Sequence, residues 1–330
     1  MHIFQTAPTI CQASNPLNLR SQNKVQGVQR RSHRFCPRSV QTDTDASPSK
    51  SSTAVQLPAD RYIATNRFKV KNAPAFEKRW CERKSRLAEL DGFRFFTLMR
   101  RVDTKDEEEV DFNYVSCTVW EDKENFTAWR TGEAFKEAHG GGTLWGFVDM
   151  LISSSQTLEG PPKPAFYDGL IPISMETNSE SIPETVGGWR KVEADGKTLI
   201  PAECYVATNR FKIAEGFGTQ FEQRFASRDS ILEELPGFRF FSLLRRDAPQ
   251  GSKGGLHSGA SDEGDFNYMT LTVWEDKAAF DNWRDTVKRA KESEGEGGGK
   301  KPVGPPQMFL EPPTPAFYEG KLVLATEQGA

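Results

Sequence analysis

The six residues ATNRFK occur at Ala64–Lys69 and again at Ala207–Lys212. GFRFF follows at Gly92–Phe96 and Gly237–Phe241, DFNY at Asp111–Tyr114 and Asp265–Tyr268, and PAFY at Pro164–Tyr167 and Pro315–Tyr318. The motifs keep their order, so whatever the first copy folds into, the second must fold into as well. The offset grows from 143 residues at ATNRFK to 154 at DFNY. The extra length sits chiefly in the Gly/Ser-rich insert Gly251–Gly264, a loop by composition. A repeat of this length is a whole domain, not a solenoid unit.

Each copy yields the same series of elements. Tyr62–Val70 mixes β-branched and aromatic residues and predicts a strand. Phe76, Trp80, Leu87 and Leu90 recur at helical spacing behind Pro74, which predicts a helix over Ala73–Leu90. Asp91-Gly92 turns into a strand over Phe93–Arg101, and after the charged loop Asp103–Glu109 a strand over Val110–Trp120 is expected. The run Glu107–Glu109 reads as solvated loop. A second helical segment starts near Lys123 with a break at Gly132, and PAFYDGLIPI supplies the last strand. The result is an α+β chain of two ferredoxin-like β-α-β-β-α-β units. Each unit leaves one sheet face uncovered, so the two are expected to pack sheet to sheet as an internal pseudo-dimer barrel within a monomeric chain. The expected divisions are a leader over 1–42, a disordered linker over 43–60, a first domain over 61–175, a linker over 176–202, and a second domain over 203–326.

Charge separates the leader from the body. Residues 1–42 hold Arg20, Lys24, Arg30, Arg31, Arg34 and Arg38 and no acid, so the rest of the chain carries −9 of a net −3. An acidic body argues against nucleic-acid binding, which needs cations to neutralise phosphates. The leader is rich in Arg, Ser, Gln and Asn and lacks the apolar core of a secretory signal; it reads as an organelle transit peptide, chloroplast rather than mitochondrial. A basic tail is the alternative. No run of about 18 apolar residues is present to span a bilayer. Cys81, Cys117 and Cys204 are single, without the CxxC spacing of a zinc site, and Cys117 alternates with strand residues as a buried side chain would.

Asn66 and Asn209 fall mid-strand, where an amide is disfavoured unless it hydrogen-bonds into a cavity or sits at an edge or cap. Trp129 and Trp283 share the motif TVWEDK-x2-F-x2-W and fit a core position. The copies then part company. Ten residues after Trp129 stands His139, followed by Gly140–Gly142; ten residues after Trp283 stands Ser293. The other histidines are His2 and His33 in the leader and His257 in the insert. A neutral imidazole at a cleft edge suits haem iron, and a surface histidine is the alternative. There is no GxSxG, P-loop, HExxH or post-strand GxGxxG to suggest other chemistry.

Asn in the first strand, the GF turn, TVW closing the third strand, and F-x-x-W followed by AH together resemble the antibiotic-biosynthesis-monooxygenase-like domain. The likeness is to its haem-degrading IsdG-type branch, and covers Arg61–His139 and Cys204–Trp283. A tandem form behind a plastid leader resembles the low-iron-induced haem oxygenase-like proteins of green algae. The resemblance implies His139 as axial ligand of haem iron, Asn66 as hydrogen-bond donor on the distal side, and Trp129 pressing on and ruffling the macrocycle. It implies haem as both cofactor and substrate, with O2 and an external electron donor; the expected compartment, the chloroplast stroma, is what suggests ferredoxin or a flavoprotein reductase as that donor. Ser293 leaves the second copy without a ligand, so one haem per chain is expected. Arg79, Arg83, Lys84 and Arg86 are candidates for the propionates, and Leu144–Leu158 for a lid or an ordinary packed helix. A haem-transfer protein, or a cofactor-free oxygenase acting on an aromatic or quinol substrate, are the alternatives.

Overall fold

The structure is a computed structural model that describes residues 55–102, 111–138, 155–228, 230–247, 266–294 and 308–330. In the first repeat β1 (Arg61–Phe68) leads into α1 (Ala73–Glu82), β2 (Phe93–Arg101), β3 (Tyr114–Trp120), α2 (Lys123–Thr131), α3 (Glu133–Ala138) and β4 (Lys163–Ser174). A short hairpin, β5 (Thr185–Val186) and β6 (Trp189–Arg190), lies in the connection. The second repeat runs β7 (Cys204–Phe211), α4 (Gly218–Ala226), β8 (Phe238–Arg246), β9 (Tyr268–Trp274), α5 (Lys277–Glu294) and β10 (Thr314–Ala325).

Two expected elements are shorter than their sequence patterns. Helix α1 ends at Glu82, not Leu90, because Arg83 turns extended (φ −68°, ψ 131°), and Leu87 is buried from a separate 3-10 turn, Leu87–Glu89. The run Glu82–Lys84 offers no apolar side chain to hold another turn on the sheet, while Arg83 gains a place over the Trp80 ring. Strand β3 begins at Tyr114; Asn113, just before it, keeps backbone bonds to Phe68 and Arg101 and adds a clamp with its own amide. Its Oδ1 accepts from Val70 N at 2.7 Å and its Nδ2 donates to Val70 O at 2.8 Å. Asn267 makes the same clamp on Ile213. The asparagine of DFNY is thus a backbone brace.

Eight strands close an antiparallel barrel in the order β1-β3-β2-β10-β7-β9-β8-β4. The last strand of each repeat joins the two halves: β4 pairs with β1 and with β8 of the second repeat, and β10 pairs with β7 and with β2 of the first. Both of these strands bulge where they pass between the sheets, and there Ile171 and Leu322 take positive φ of 45° and 54°. A glycine stands just before each bulge. A side chain at Gly169 would lie 2.8 Å from Arg61 Cβ, and one at Gly320 would lie 2.8 Å from Thr97 Oγ1. Closure leaves no strand edge to cover. Ile63, Cys117, Val119, Val206, Leu271 and Val273 fill the interior from both repeats, while the helices cover the outer faces.

The segments entering the two repeats are also exchanged. Leu57-Pro58-Ala59-Asp60 and Ile200-Pro201-Ala202-Glu203 have the same pattern, with the residue before proline held extended. Leu57 N donates to Glu222 on α4 at 2.8 Å, and Ile200 N donates to Glu77 on α1 at 2.6 Å. Residues 55–60, at the end of the stretch expected to be a linker, therefore strap the second repeat.

Candidate functional site

Side chains alternate along β1, so Tyr62, Ala64, Asn66 and Phe68 share the outer, helix-covered face. Asn66 lies in a central strand, paired with Ser116 of β3 and Pro164 of β4. It is neither an edge nor a cap. It is half-buried, and its amide makes no hydrogen bond to a described residue. Next to it on the same face come Ala64, Ser116 and Thr118, all small.

Trp129 stands at the other end of this strip. It stacks on Trp120 with ring centroids 5.3 Å apart and 28° between planes, and packs on Phe126 at 5.7 Å. Trp120 is fully buried and is paired with Tyr62. The four residue steps from Tyr62 to Asn66 span ~13 Å of strand. A shallow floor of Ala64, Ser116 and Thr118 thus runs between a tryptophan and an unpartnered amide.

The site is framed by a break in the second helical segment. Asp122 caps α2 by accepting from Asn125 N at 2.7 Å, and Gly132 ends it in an extended conformation. Helix α3 then turns back so that Phe135 meets Trp129 edge-on, 5.1 Å away. Its last residue, Ala138, offers its carbonyl oxygen to Arg83 Nε at 3.0 Å. His139 is the next residue and lies outside the described residues, as do Gly140–Gly142 and the 144–154 part of the expected lid. Leu158, at the end of that stretch, is buried and bridges to Val70.

The four basic candidates on the first helix are separated by its early end. Arg79 lies on α1, Arg83 is its C-cap, and Lys84 and Arg86 follow in irregular chain, where Arg86 pairs with Glu89 at 2.8 Å. Arg83 is the one tied to the site. Burial, and then the neighbouring charge of Arg79, pulls its guanidinium down to about 10. It stays a cation at neutral pH, 4.8 Å from the Trp80 ring centroid.

Three features of this region were not anticipated from the sequence. Glu77 is completely buried, accepting from Tyr114 OH at 2.8 Å and from Ile200 N. Burial first, then the Glu77 charge, holds the Tyr114 hydroxyl well above the ordinary tyrosine range. Trp189, from the connecting hairpin, is buried against Phe96 and donates its indole N–H to Trp80 O at 3.1 Å. The indole N–H of Trp120 is buried without an acceptor, as is that of Trp274 in the second repeat. The acid repeated as Phe76-Glu77 and Phe221-Glu222 on an otherwise apolar helix face was the available signal for the first. Among the described residues no three His, Cys, Asp or Glu side chains converge to hold a metal ion.

The second repeat holds Asn209 opposite Thr270 and Pro315, with Ala207 and Thr272 beside it, and Trp283 stacks on Trp274 at 5.4 Å. Ser293 falls within the unbroken helix α5.

The two segments of this chain that match a known family fall one in each repeat. The sequence profile of the family described as antibiotic biosynthesis monooxygenase matches residues 61–141 and 204–291. The mycobilin-producing haem oxygenase of Mycobacterium tuberculosis is 32% identical over 78 residues, which are 24% of this chain and 60% of that protein. The same figures hold for the sequence from a second strain. The chain thus spans about 60% of the length of the curated relatives it matches. Among solved structures, a candidate monooxygenase from Fusobacterium nucleatum aligns over 82% of this chain and 97% of its own at 12% identity, with a TM-score of 0.45. One from Lactobacillus acidophilus aligns over 82% and 98% at 9% identity, with a TM-score of 0.46.

Proposed function

The chain belongs to the antibiotic biosynthesis monooxygenase family, and from that footing we propose that its first repeat is a haem-degrading monooxygenase. The observation that carries this reading is the row of small side chains Ala64, Ser116 and Thr118 on one sheet face between Trp129 and the amide of Asn66. The mycobacterial relative, a haem oxygenase, supports haem as the ligand there. Haem supplies the iron that activates O2, and its own porphyrin is what is opened.

The residues divide the remaining work. His139, the residue after α3, whose last carbonyl Arg83 fixes, would hold the haem iron. Asn66 would offer its amide as a hydrogen-bond donor to the bound ligand. Trp129 would press on the bound macrocycle, since Trp120 and Phe126 back it and Phe135 closes its edge. Arg79 and Arg83 would offer cations to the propionates, Arg83 from a half-buried position beside Trp80. The second repeat, lacking a histidine at Ser293, contributes barrel strands and binds no haem. The leader directs the protein to the chloroplast stroma, where ferredoxin or a flavoprotein reductase is the electron source.

The test is a haem titration of the full chain and of His139→Ala, followed by ascorbate, then ferredoxin with its reductase, in air. The expected result is a Soret band saturating at one haem per chain, lost in the variant and bleached by reductant. Saturation without bleaching under either reductant would leave a haem carrier. No Soret band at all would leave a cofactor-free oxygenase.

A further inference from the structure

Where the repeats meet, Val102 of the first and Tyr205, Phe317, Glu275, Asp276 and Glu319 of the second line a cavity of about 420 Å³. In the first repeat the equivalent place is taken by that repeat's own cations. Tyr62 and Phe166 stack there at 6.4 Å and 12°, with the Lys123 ammonium 5.6 Å from the Tyr62 ring centroid. The Arg130 guanidinium lies 5.6 Å from the centroid of Phe166. Asp247 holds Lys123 in place, its carboxylate accepting from Nζ at 2.6 Å. The second repeat keeps the two rings, Tyr205 and Phe317, at 6.3 Å and 17°. Its cations have moved. Lys277 and Arg284, the counterparts of Lys123 and Arg130, both pair with Asp281, which stands where the first repeat has Thr127. Arg284 has gone over to the Phe280 ring, 5.7 Å from its centroid. Val102 donates its N–H to Phe317 O at 3.0 Å as Asp247 does to Phe166 O at 2.8 Å, but it offers no carboxylate to draw a lysine back.

Two exchanges, Val102 for Asp247 and Asp281 for Thr127, thus open in one repeat what side-chain cations fill in the other. The chamber has the size of a small-molecule site, about 300–1,000 Å³. Aromatic faces attract a cation within about 6 Å of the ring centroid, and the first repeat shows which kind of group these rings take. The charges at the rim agree. Among the described residues Glu275 forms no ion pair, whereas its counterpart Glu121 pairs with Arg94 at 3.3 Å. Arg239, which replaces Arg94, donates to Glu203 O at 3.5 Å instead. Asp276 spends one carboxylate oxygen capping α5, 2.8 Å from Ala279 N, and Glu319 is paired with Arg100 at 2.5 Å. Lys277 and Arg284 also border the cavity, but Asp281 neutralises them. We propose that this cavity binds a small aliphatic amine. Its ammonium group lies over the Tyr205 and Phe317 rings, where the first repeat places Lys123 and Arg130, with Glu275 as counter-ion. The site is independent of the haem reading, which gives these residues of the second repeat no role.

The test is an NMR titration of the full chain, with labelled phenylalanine, by 1,5-diaminopentane at fixed pH and ionic strength. The Phe317 ring signals should shift saturably, while 1-pentanol and pentanoate at the same concentrations leave them in place. Glu275→Gln removes the counter-ion. Asp281→Thr copies the first repeat and lets Lys277 return to the Tyr205 ring, where it competes with the ligand. Each variant should weaken the diamine about threefold to fivefold. Both changes lie on the surface side of α5 and its cap, so the fold is kept, and the Trp283 signals report that directly. No saturable shift of Phe317 would overturn the proposal, as would pentanol or pentanoate binding as tightly as the diamine. Equal affinity in wild type and both variants would overturn it too, since the diamine would then be held only by the general negative charge of the body.

Discussion

Up to their shared tryptophans the two repeats are nearly superimposable in their local contacts. Trp129 meets Trp120 at 5.3 Å and 28°, and Trp283 meets Trp274 at 5.4 Å and 30°. Three residues later they diverge. Gly132 stops α2, whereas Thr286 continues α5, which runs 18 residues without a break. The break brings Ala138 back to Arg83, which sits over Trp80 just as the equivalent Arg228 sits over Phe225, 4.1 Å from its ring centroid. The outer face differs too. Trp189, donated by the connecting hairpin, helps make one continuous aromatic cluster over the first sheet, while the second carries two separate clusters. Common strand pairings set the framework, and one glycine decides where the end of the second helical segment is delivered.

The largest expected effect is on the first repeat alone. On the haem reading proposed above, losing a direct iron ligand exceeds the loss of an outer-shell partner, so His139→Ala should weaken haem by more than about 100-fold. Ser293→His should leave the stoichiometry at one, because α5 stays straight; two haems in that variant would show that the bend is not needed. Gly132→Thr copies the second repeat into the first. The new Cβ would lie 2.9 Å from Ala128 O, so the bend must shift. Turnover should drop about tenfold to 100-fold, with the unfolding midpoint little changed. An unaffected rate would separate the bend from catalysis.

Next come the buried acids. Glu222 accepts from Tyr268 OH, Leu57 N and Arg245, which also pairs with Asp168. Glu77 accepts from Tyr114 OH and Ile200 N and feels the charges of Arg100 and Lys321, but takes no direct bond from an arginine. Glu222→Ala should therefore cost about 3–5 kcal/mol in urea unfolding, and Glu77→Ala about 1–3 kcal/mol. The reverse order would mean that Arg245 is satisfied by Asp168 alone. Leu57→Pro and Ile200→Pro remove the strap donors while keeping the chain extended. Each should cost about 1–3 kcal/mol, the second more because Ile200 is buried and Leu57 half-exposed.

Much of the framework was legible because repeated motifs carry backbone constraints that act locally. The glycine of PAFY-[DE]-G marks the close approach before a bulge, and the asparagine of DFNY marks a strand brace. What was not legible depended on exchange between repeats. Nothing in the periodicity of β4 and β10 says which sheets they join, since an antiparallel strand reads the same beside either neighbour. The LPAD and IPAE straps are too short to stand out until the acids they serve, Glu222 and Glu77, are seen to be buried. Asn66 was singled out by its unsuitability for a strand, and its central, unpartnered position follows. Trp129 gave no such signal, because a tryptophan on an apolar helix face satisfies a core as readily as a site.

The smallest effect is also a contrast between the copies. Cys117 faces the barrel interior where the second repeat has Leu271, and burial pushes its thiol up to about 12. An unfolded thiol ionises near 8.5–9, so from that pH upward the unfolded chain loses a proton that the folded chain keeps. The folded state is then favoured less as pH rises, by up to about 1.4 kcal/mol per pH unit for each such group until the folded value is reached. Cys81 and Cys204, each pushed up to about 11 by burial, act in the same sense. Cys117→Ala has a fixed packing cost at every pH, but it should remove one thiol's share of the alkaline slope. Urea unfolding of wild type and variant at pH 7.5, 9 and 10 separates the two terms. The difference between them should shrink as pH rises. A constant difference would mean that the Cys117 thiol ionises within the folded barrel, and that the interior at this position is more polar than its Ile63, Val119 and Val206 neighbours imply.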